Sequence, residues 1–131
     1  MTAERRQFST DSSFERDYAY SRAVVQEPFC FVAGTTGYDF ATMSISSDVA
    51  AQARQALHTI RETLATAGFS MHDVVRTVIY LADPADHPKI RAPLQETFGS
   101  VLPVNTTVGA NLMTPEMKIE IEVTAMRRTS A

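Results

Sequence analysis

Residues 103–126 read PVNTTVGANLMTPEMKIEIEVTAM. In the second half, Ile119, Ile121 and Val123 alternate with Lys118, Glu120, Glu122 and Thr124, the period-two pattern of a strand with one apolar and one polar face. The first half, Val104 to Leu112, is rich in threonine and valine and reads as a second strand. Met113-Thr114-Pro115-Glu116 joins the two, with its proline ending regular pairing. We expect these two strands to lie side by side. They carry Asn105 and Glu120, and the stretch Pro103 to Ala125 is where a small-molecule site is expected.

Working outward, Asp86 to Phe98 places Ile90, Leu94 and Phe98 on one helical stripe, although Pro93 opposes a helix in its first half. His72 to Leu81 holds Val74, Val75, Thr77, Val78 and Ile79, a β-branched run that reads as a strand buried on both faces. Asp83-Pro84 closes it. From Ser47 to Ala67, Ala53, Leu57, Ile60, Leu64 and Ala67 recur every three or four residues, with Arg54, Arg61 and Glu62 on the outer face. Ser46 or Ser47 suits the start of this helix and Gly68 its end. Phe29 to Ala33 reads as a strand entered by the turn Glu27-Pro28 and closed by Gly34-Thr35-Thr36-Gly37. Tyr18 to Val25 alternates as another strand, with Tyr20, Arg22 and Val24 on one face. Gln7 to Arg16 reads as a polar lead-in after a short edge strand around Arg5 to Phe8. The order is strands, helix, strand, helix, two strands, an α+β pattern with one sheet and both helices on one face. Tyr20, Val24 and Val78 do not suit an uncovered sheet face, so the pattern predicts oligomerisation.

The 131 residues suit one domain, and 44% hydrophobic content suffices for a core without disulfides. Twelve basic against fifteen acidic residues give a net charge of −3, and the pI is near 5.5. Phosphate backbones need concentrated positive surface, so nucleic acid is not an expected partner. The lone Cys30 lies in the apolar run Pro28 to Ala33 and reads as a structural thiol in a reducing compartment. No apolar stretch has membrane-spanning length, and Met1 to Arg6 lacks a signal core, so a cytoplasmic protein without membrane association is expected. His58, His72 and His87 have no metal-ligand spacing. No glycine-rich phosphate loop precedes a helix.

Five motifs in order and spacing resemble those of the Rid proteins (RidA/YjgF type, reactive intermediate deaminases). Tyr20-Ser21-Arg22-Ala23-Val24 looks like the family's Tyr-Ser-Gln-Ala-Val, and Phe31-Val32-Ala33-Gly34-Thr35 like its Phe-Val-Ser-Gly-Gln. Asp73 to Thr77 resembles the opening of its next strand. Pro103-Val104-Asn105-Thr106-Thr107-Val108 stands where Pro-Ala-Arg-Ser-Thr-Val is usual, and Lys118 to Glu122 resembles the C-terminal Val-Glu-Ile-Glu signature. The resemblance covers nearly the whole chain. It implies a chorismate-mutase-like α+β fold with a mixed sheet, a homotrimer packed through the open sheet faces, and ligand clefts between subunits. It further implies hydrolysis of a reactive enamine or imine to a keto acid and ammonia, with no cofactor and no metal.

Carried over by position, the resemblance implies a cleft that includes Tyr20, Gly34, Arg91, Thr106, Thr107 and the acid–base residue Glu120. Asn105 occupies the position of the substrate-binding arginine. An amide donates hydrogen bonds but carries no charge, so the usual bidentate grip on a carboxylate is absent. Arg22 and Arg91 are candidate substitutes for that charge, weighed against ordinary ion pairing. Glu120 and Glu122 share a strand face, and their repulsion is expected to raise one pKa. Tyr38 and Phe40 are expected either to line the pocket or to cover the core. Two functional classes follow: an imine or enamine deaminase, and a non-catalytic metabolite binder. Endoribonuclease activity fits poorly with the acidic pI.

Overall fold

The computed structural model describes residues 4–128. Met1, Thr2 and Ala3, part of the leader reading above, lie outside the described residues. The chain builds a six-stranded mixed sheet from β1 (Arg6–Phe8), β2 (Ala23–Gln26), β3 (Phe29–Thr36), β6 (Val74–Leu81), β7 (Val104–Gly109) and β8 (Ile119–Met126). Their spatial order is β1-β2-β3-β8-β6-β7, with β6 and β7 parallel and the other pairs antiparallel. A two-stranded ribbon, β4 (Tyr38–Asp39) with β5 (Ser44–Ile45), follows the glycine turn after β3.

This order corrects the expectation of neighbouring strands in 103–126. β8 inserts between β3 and β6, and β6 separates it from β7. The crossover from β6 through the helices to β7 supplies the parallel pair, which needs a connection of a dozen or more residues.

One helix dominates the covered face. α2 (Val49–Thr66) packs on β3 and β8, burying Ala53, Leu57, Ile60 and Leu64 against Val32, Cys30, Ile121 and Val123. Each such leucine or isoleucine contributes roughly 1.5–3 kcal/mol on burial. Its cap is Asp48, whose carboxylate accepts from Ala51 N at 2.8 Å, whereas Ser46 instead accepts from Asp48 N at 3.1 Å. Gly68, at φ +86°, carries the chain out of the helix in the left-handed region.

The expected second helix is two pieces, a 3₁₀ stretch Pro84–Ile90 and α3 (Arg91–Phe98). Pro93 falls in the first turn of α3, where a backbone N–H has no helical acceptor, so it is buried without breaking the helix. β6 is less uniformly buried than its composition predicts, since Val75 and Arg76 are exposed.

The segment expected as a strand from Tyr18 to Val25 is strand only from Ala23. Before it, α1 (Ser13–Tyr18) starts on Ser12, whose hydroxyl accepts from Glu15 N at 3.3 Å, and stops at Ala19, φ +59°. The polar lead-in is therefore ordered around Glu15. The helices leave the other face of the sheet open, and Phe31, Val104, Val108 and Met126 lie exposed there.

Candidate functional site

A break in the pairing of β3 with β8 shapes the site. Val32 faces Val123 and Thr35 faces Ile121, so Ala33 and Gly34 together oppose Glu122. Such a bulge re-aims the strand beside it. Here it presses Gly34 onto the carboxyl of Glu120: a Cβ built on Gly34 would lie 2.5 Å from Glu120 Oε2 and 2.9 Å from Cδ. Any larger residue at 34 would displace the carboxyl.

Glu120 stands at the base of a cavity of about 410 Å³ walled by Phe14, Tyr18, Tyr20, Arg22, Gly34, Thr36, Phe40, Met113, Thr114 and Met117. Among the described residues the Glu120 carboxyl makes no hydrogen bond, which leaves its oxygens to the cavity. Burial pushes its pKa above the ordinary carboxylate value; Arg22 opposes the shift and Glu122 adds to it. The expected carboxylate repulsion is thus present, but burial is the larger cause. Glu122 is engaged elsewhere, accepting from Tyr80 Oη at 2.9 Å.

Arg22 is 2% exposed and held by several partners, although its Nε makes no hydrogen bond. Its guanidinium donates to Thr35 Oγ1 at 2.9 Å, Gly34 O at 3.3 Å and Tyr20 Oη at 3.3 Å, and its Nε lies 3.5 Å from Glu15 Oε2. Tyr20 and Phe40 pack over the cation, with ring centroids 5.6 and 5.2 Å away. Glu15, equally buried, accepts from Ser9 and Ser12 at 2.8 and 3.0 Å and from the Thr10 hydroxyl. Burial pulls the Glu15 pKa upward, but the hydrogen bonds from Thr10, Ser9 and Ser12 and the charge of Arg22 outweigh it and leave it low. Arg22 therefore meets the cavity as half of a compensated ion pair.

Of the residues singled out from sequence, Tyr20, Arg22, Gly34, Glu120 and Phe40 converge on this cavity. Tyr38 sits behind it, edge-on to Phe14 at 5.6 Å, with its hydroxyl donating to Glu116 at 3.0 Å. Asn105, Thr106, Thr107 and Arg91 are not among the lining residues. Asn105 accepts from Thr77 Oγ1 at 2.7 Å and donates to Thr107 Oγ1 at 2.9 Å. It pairs in register with Thr77, whose side chain is buried on the helix-covered face, whereas Glu120 alternates with the core residues Ile119 and Ile121 and so points to the open face. Within one chain, Asn105 and Glu120 lie on opposite faces with β6 between them. Arg91 is exposed at the start of α3.

Comparison with known proteins gives the family. A family model described as Endoribonuclease L-PSP matches residues 10–127. A RutC family protein of Pyrococcus horikoshii is 34% identical over 109 residues, 82% of this chain and 86% of that one. The chain belongs to the YjgF/Rid family. A 2-iminobutanoate/2-iminopropanoate deaminase of Salmonella typhimurium is 29% identical over 112 residues, 83% of this chain and 88% of that protein. The crystal structure of a YjgF/YER057c/UK114 family member from Mycobacterium tuberculosis superposes with a TM-score of 0.86 at 38% identity, covering 94% of this chain and 99% of that one.

Sequence reasoning missed Phe14, Tyr18, Met113 and Met117, which form the apolar walls, and Glu15, which neutralises Arg22. A signal for α1 was present: Ser12-Ser13-Phe14-Glu15 fits the Ser-x-x-Glu pattern of a helix start. Met113 and Met117 carry no comparable signal, since they flank a turn. Among the described residues no group of three His, Cys, Asp or Glu side chains converges as a metal site, and no helix is long and apolar enough to cross a membrane.

Proposed function

We propose that this chain is a cytoplasmic Rid-type enzyme that hydrolyses, or tautomerises, a reactive enamine or imine. The observation that carries the reading is Glu120, a half-buried carboxyl of raised pKa pressed against Gly34 in a cavity large enough for a small molecule. As the carboxylate it takes a proton from water while the oxygen adds to the C=N carbon. The protonated acid passes that proton to the nitrogen, and the restored carboxylate then carries the carbinolamine hydroxyl proton to the nitrogen as the C–N bond breaks and ammonia leaves. As the acid it can instead protonate the enamine carbon and convert it to the imine. No oxidant enters either step, and the carbonyl product and ammonia account for all atoms.

The reading includes a homotrimer with ligand clefts between subunits. Its support is the open, partly apolar sheet face and the placement of Asn105 and Glu120 on opposite faces of one chain. Asn105 and Thr107 of β7 can join a cleft with Glu120 when they come from a neighbouring copy. Arg91, Thr106 and Tyr20 remain candidate contacts of that cleft.

A second reading, a non-catalytic metabolite binder, draws on a specific observation. Asn105 has no charge, and the Arg22 cation is already compensated by Glu15. The discriminating assay is ammonia release from freshly generated 2-aminoacrylate and bulkier imines by wild type, Glu120→Ala and Asn105→Arg. Acceleration lost in Glu120→Ala supports the enzyme. If wild type accelerates none of these while a ligand still binds the cavity, the enzyme reading is lost. A monomer mass by light scattering would remove the inter-subunit cleft.

A further inference from the structure

We infer that the imine or enamine handled at Glu120 carries a bulky apolar side chain, aromatic or branched, which packs between Phe14, Phe40, Met113 and Met117. The inference rests on the imine reading above and concerns what that site selects.

The first ground is volume. An apolar cavity of about 150 Å³ accepts a benzene ring, and this one holds about 410 Å³. A ring or branched chain and the reacting C=N group therefore fit together, whereas a methyl or ethyl side chain leaves most of the apolar wall in contact with water. The second ground is the kind of wall. In the single chain Tyr18 and Met113 stand at the cavity with exposures of 77% and 87%, large side chains that gain from being covered by a ligand, a neighbouring copy or both. Methionine adapts to the shape of what it touches, which suits a rim closing on a ligand.

The third ground is preorganisation. Phe14 is held edge-on against Tyr38, which is itself anchored to Glu116, and Phe40 packs over the Arg22 guanidinium. The aromatic walls are thus in place before any ligand arrives. The fourth ground is the polar inventory. Beyond Glu120, the charged group on the wall is Arg22, which is committed to Glu15, Thr35, Gly34 and Tyr20. A charged substrate side chain would lose its hydration here without a free counter-charge, and Thr114 Oγ1, buried on the wall without a hydrogen-bond partner, offers only a neutral contact.

The test uses imino acids generated in situ by a flavin amino-acid oxidase from alanine, leucine and phenylalanine, with the remaining imine trapped by semicarbazide and each rate taken over its uncatalysed hydrolysis. We expect kcat/KM for the leucine- or phenylalanine-derived imine to exceed that for the alanine-derived one by about tenfold or more, the scale set by a few methylenes in an apolar pocket. Tyr18→Ser and Met113→Ser change exposed side chains and so retain the fold; each should shrink that ratio by lowering the rate on the larger imine more than on the smaller. Equal rates across the series, or a preference for the alanine-derived imine, overturn the inference and leave the hydrolase reading standing. Hydrolysis of none of the three overturns both.

Discussion

Replacing Gly34 with alanine adds one carbon to the bulge in β3, and the structure gives its consequences a scale. The new Cβ would lie 2.5 Å from Glu120 Oε2 and 2.9 Å from Cδ, while unstrained contacts of this kind are roughly 3.5–4.0 Å. The carboxyl must therefore retreat by about 1 Å, and a misplacement of that size costs on the order of 10²-fold in rate. What yields is the far end of a glutamate facing an open cavity, so the loss of stability should stay at the low end of the roughly 1–3 kcal/mol typical of overpacking. The assay pairs ammonia release from the best imine substrate with urea unfolding, for wild type, Gly34→Ala, Glu120→Gln and the double variant. We expect Gly34→Ala to unfold near the wild-type midpoint with kcat about a hundredfold lower. In the Glu120→Gln background the same change should cost little further, because the group it displaces no longer carries the proton. Wild-type kcat in Gly34→Ala, or an undiminished effect in the Glu120→Gln background, would refute the placement of catalysis on this carboxyl.

Four further outcomes can be checked. If Glu120 acts as the base, the acid limb of kcat/KM should lie above the ordinary carboxylate value of 4.5, and Glu122→Gln, which removes a like charge, should move it to lower pH. Glu15 has the opposite sign: its folded pKa is lowered, so its contribution is fully present above 4.5 and is lost as pH falls through the folded value. Glu15→Gln should therefore cost about 3–5 kcal/mol at neutral pH, by leaving Arg22 uncompensated in the interior, and should flatten the loss of stability on acidification in urea titrations. Cys30 is buried and its thiol is pushed up to about 11; a thiol reagent at mildly alkaline pH should label it after urea unfolding and not before. On the open sheet face, Phe31 stacks with Phe29 at 5.8 Å and is 48% exposed, so Phe31→Arg should convert the proposed trimer to monomers by light scattering.

The elements that were legible in the sequence are those whose side chains repeat along one element. β8 announces itself because Ile119, Ile121 and Val123 all enter one core, and α2 because Leu57, Ile60 and Leu64 do the same. Strand order was not legible, because alternation reports which face is buried and is silent on the neighbour. Val104 to Leu112 and Met117 to Met126 are close in sequence, yet the chain ends by filling the gap between β3 and β6. α1 was hidden for a related reason. Its six residues are too few for a periodic stripe, and what holds it is a cluster of hydroxyls on one buried carboxylate, Glu15, which a polar composition disguises as a loop.

The site divides along the same line. Glu120 and Gly34 stand out because one signature strand and one glycine-bearing strand meet at a bulge, and both partners lie on adjacent strands of one chain. Asn105 is different in kind. Its register with Thr77 fixes it on the helix-covered face at the sheet edge, so no rearrangement of side chains within the chain can bring it to Glu120. The effect of Asn105→Arg is therefore tied to assembly. If the cleft forms between copies, the added guanidinium should strengthen binding of carboxylate-bearing imines in the oligomer, and that gain should vanish when Phe31→Arg separates the subunits. A gain that survives in the monomer would mean that the charge acts within one chain, and the inter-subunit cleft would have to be abandoned.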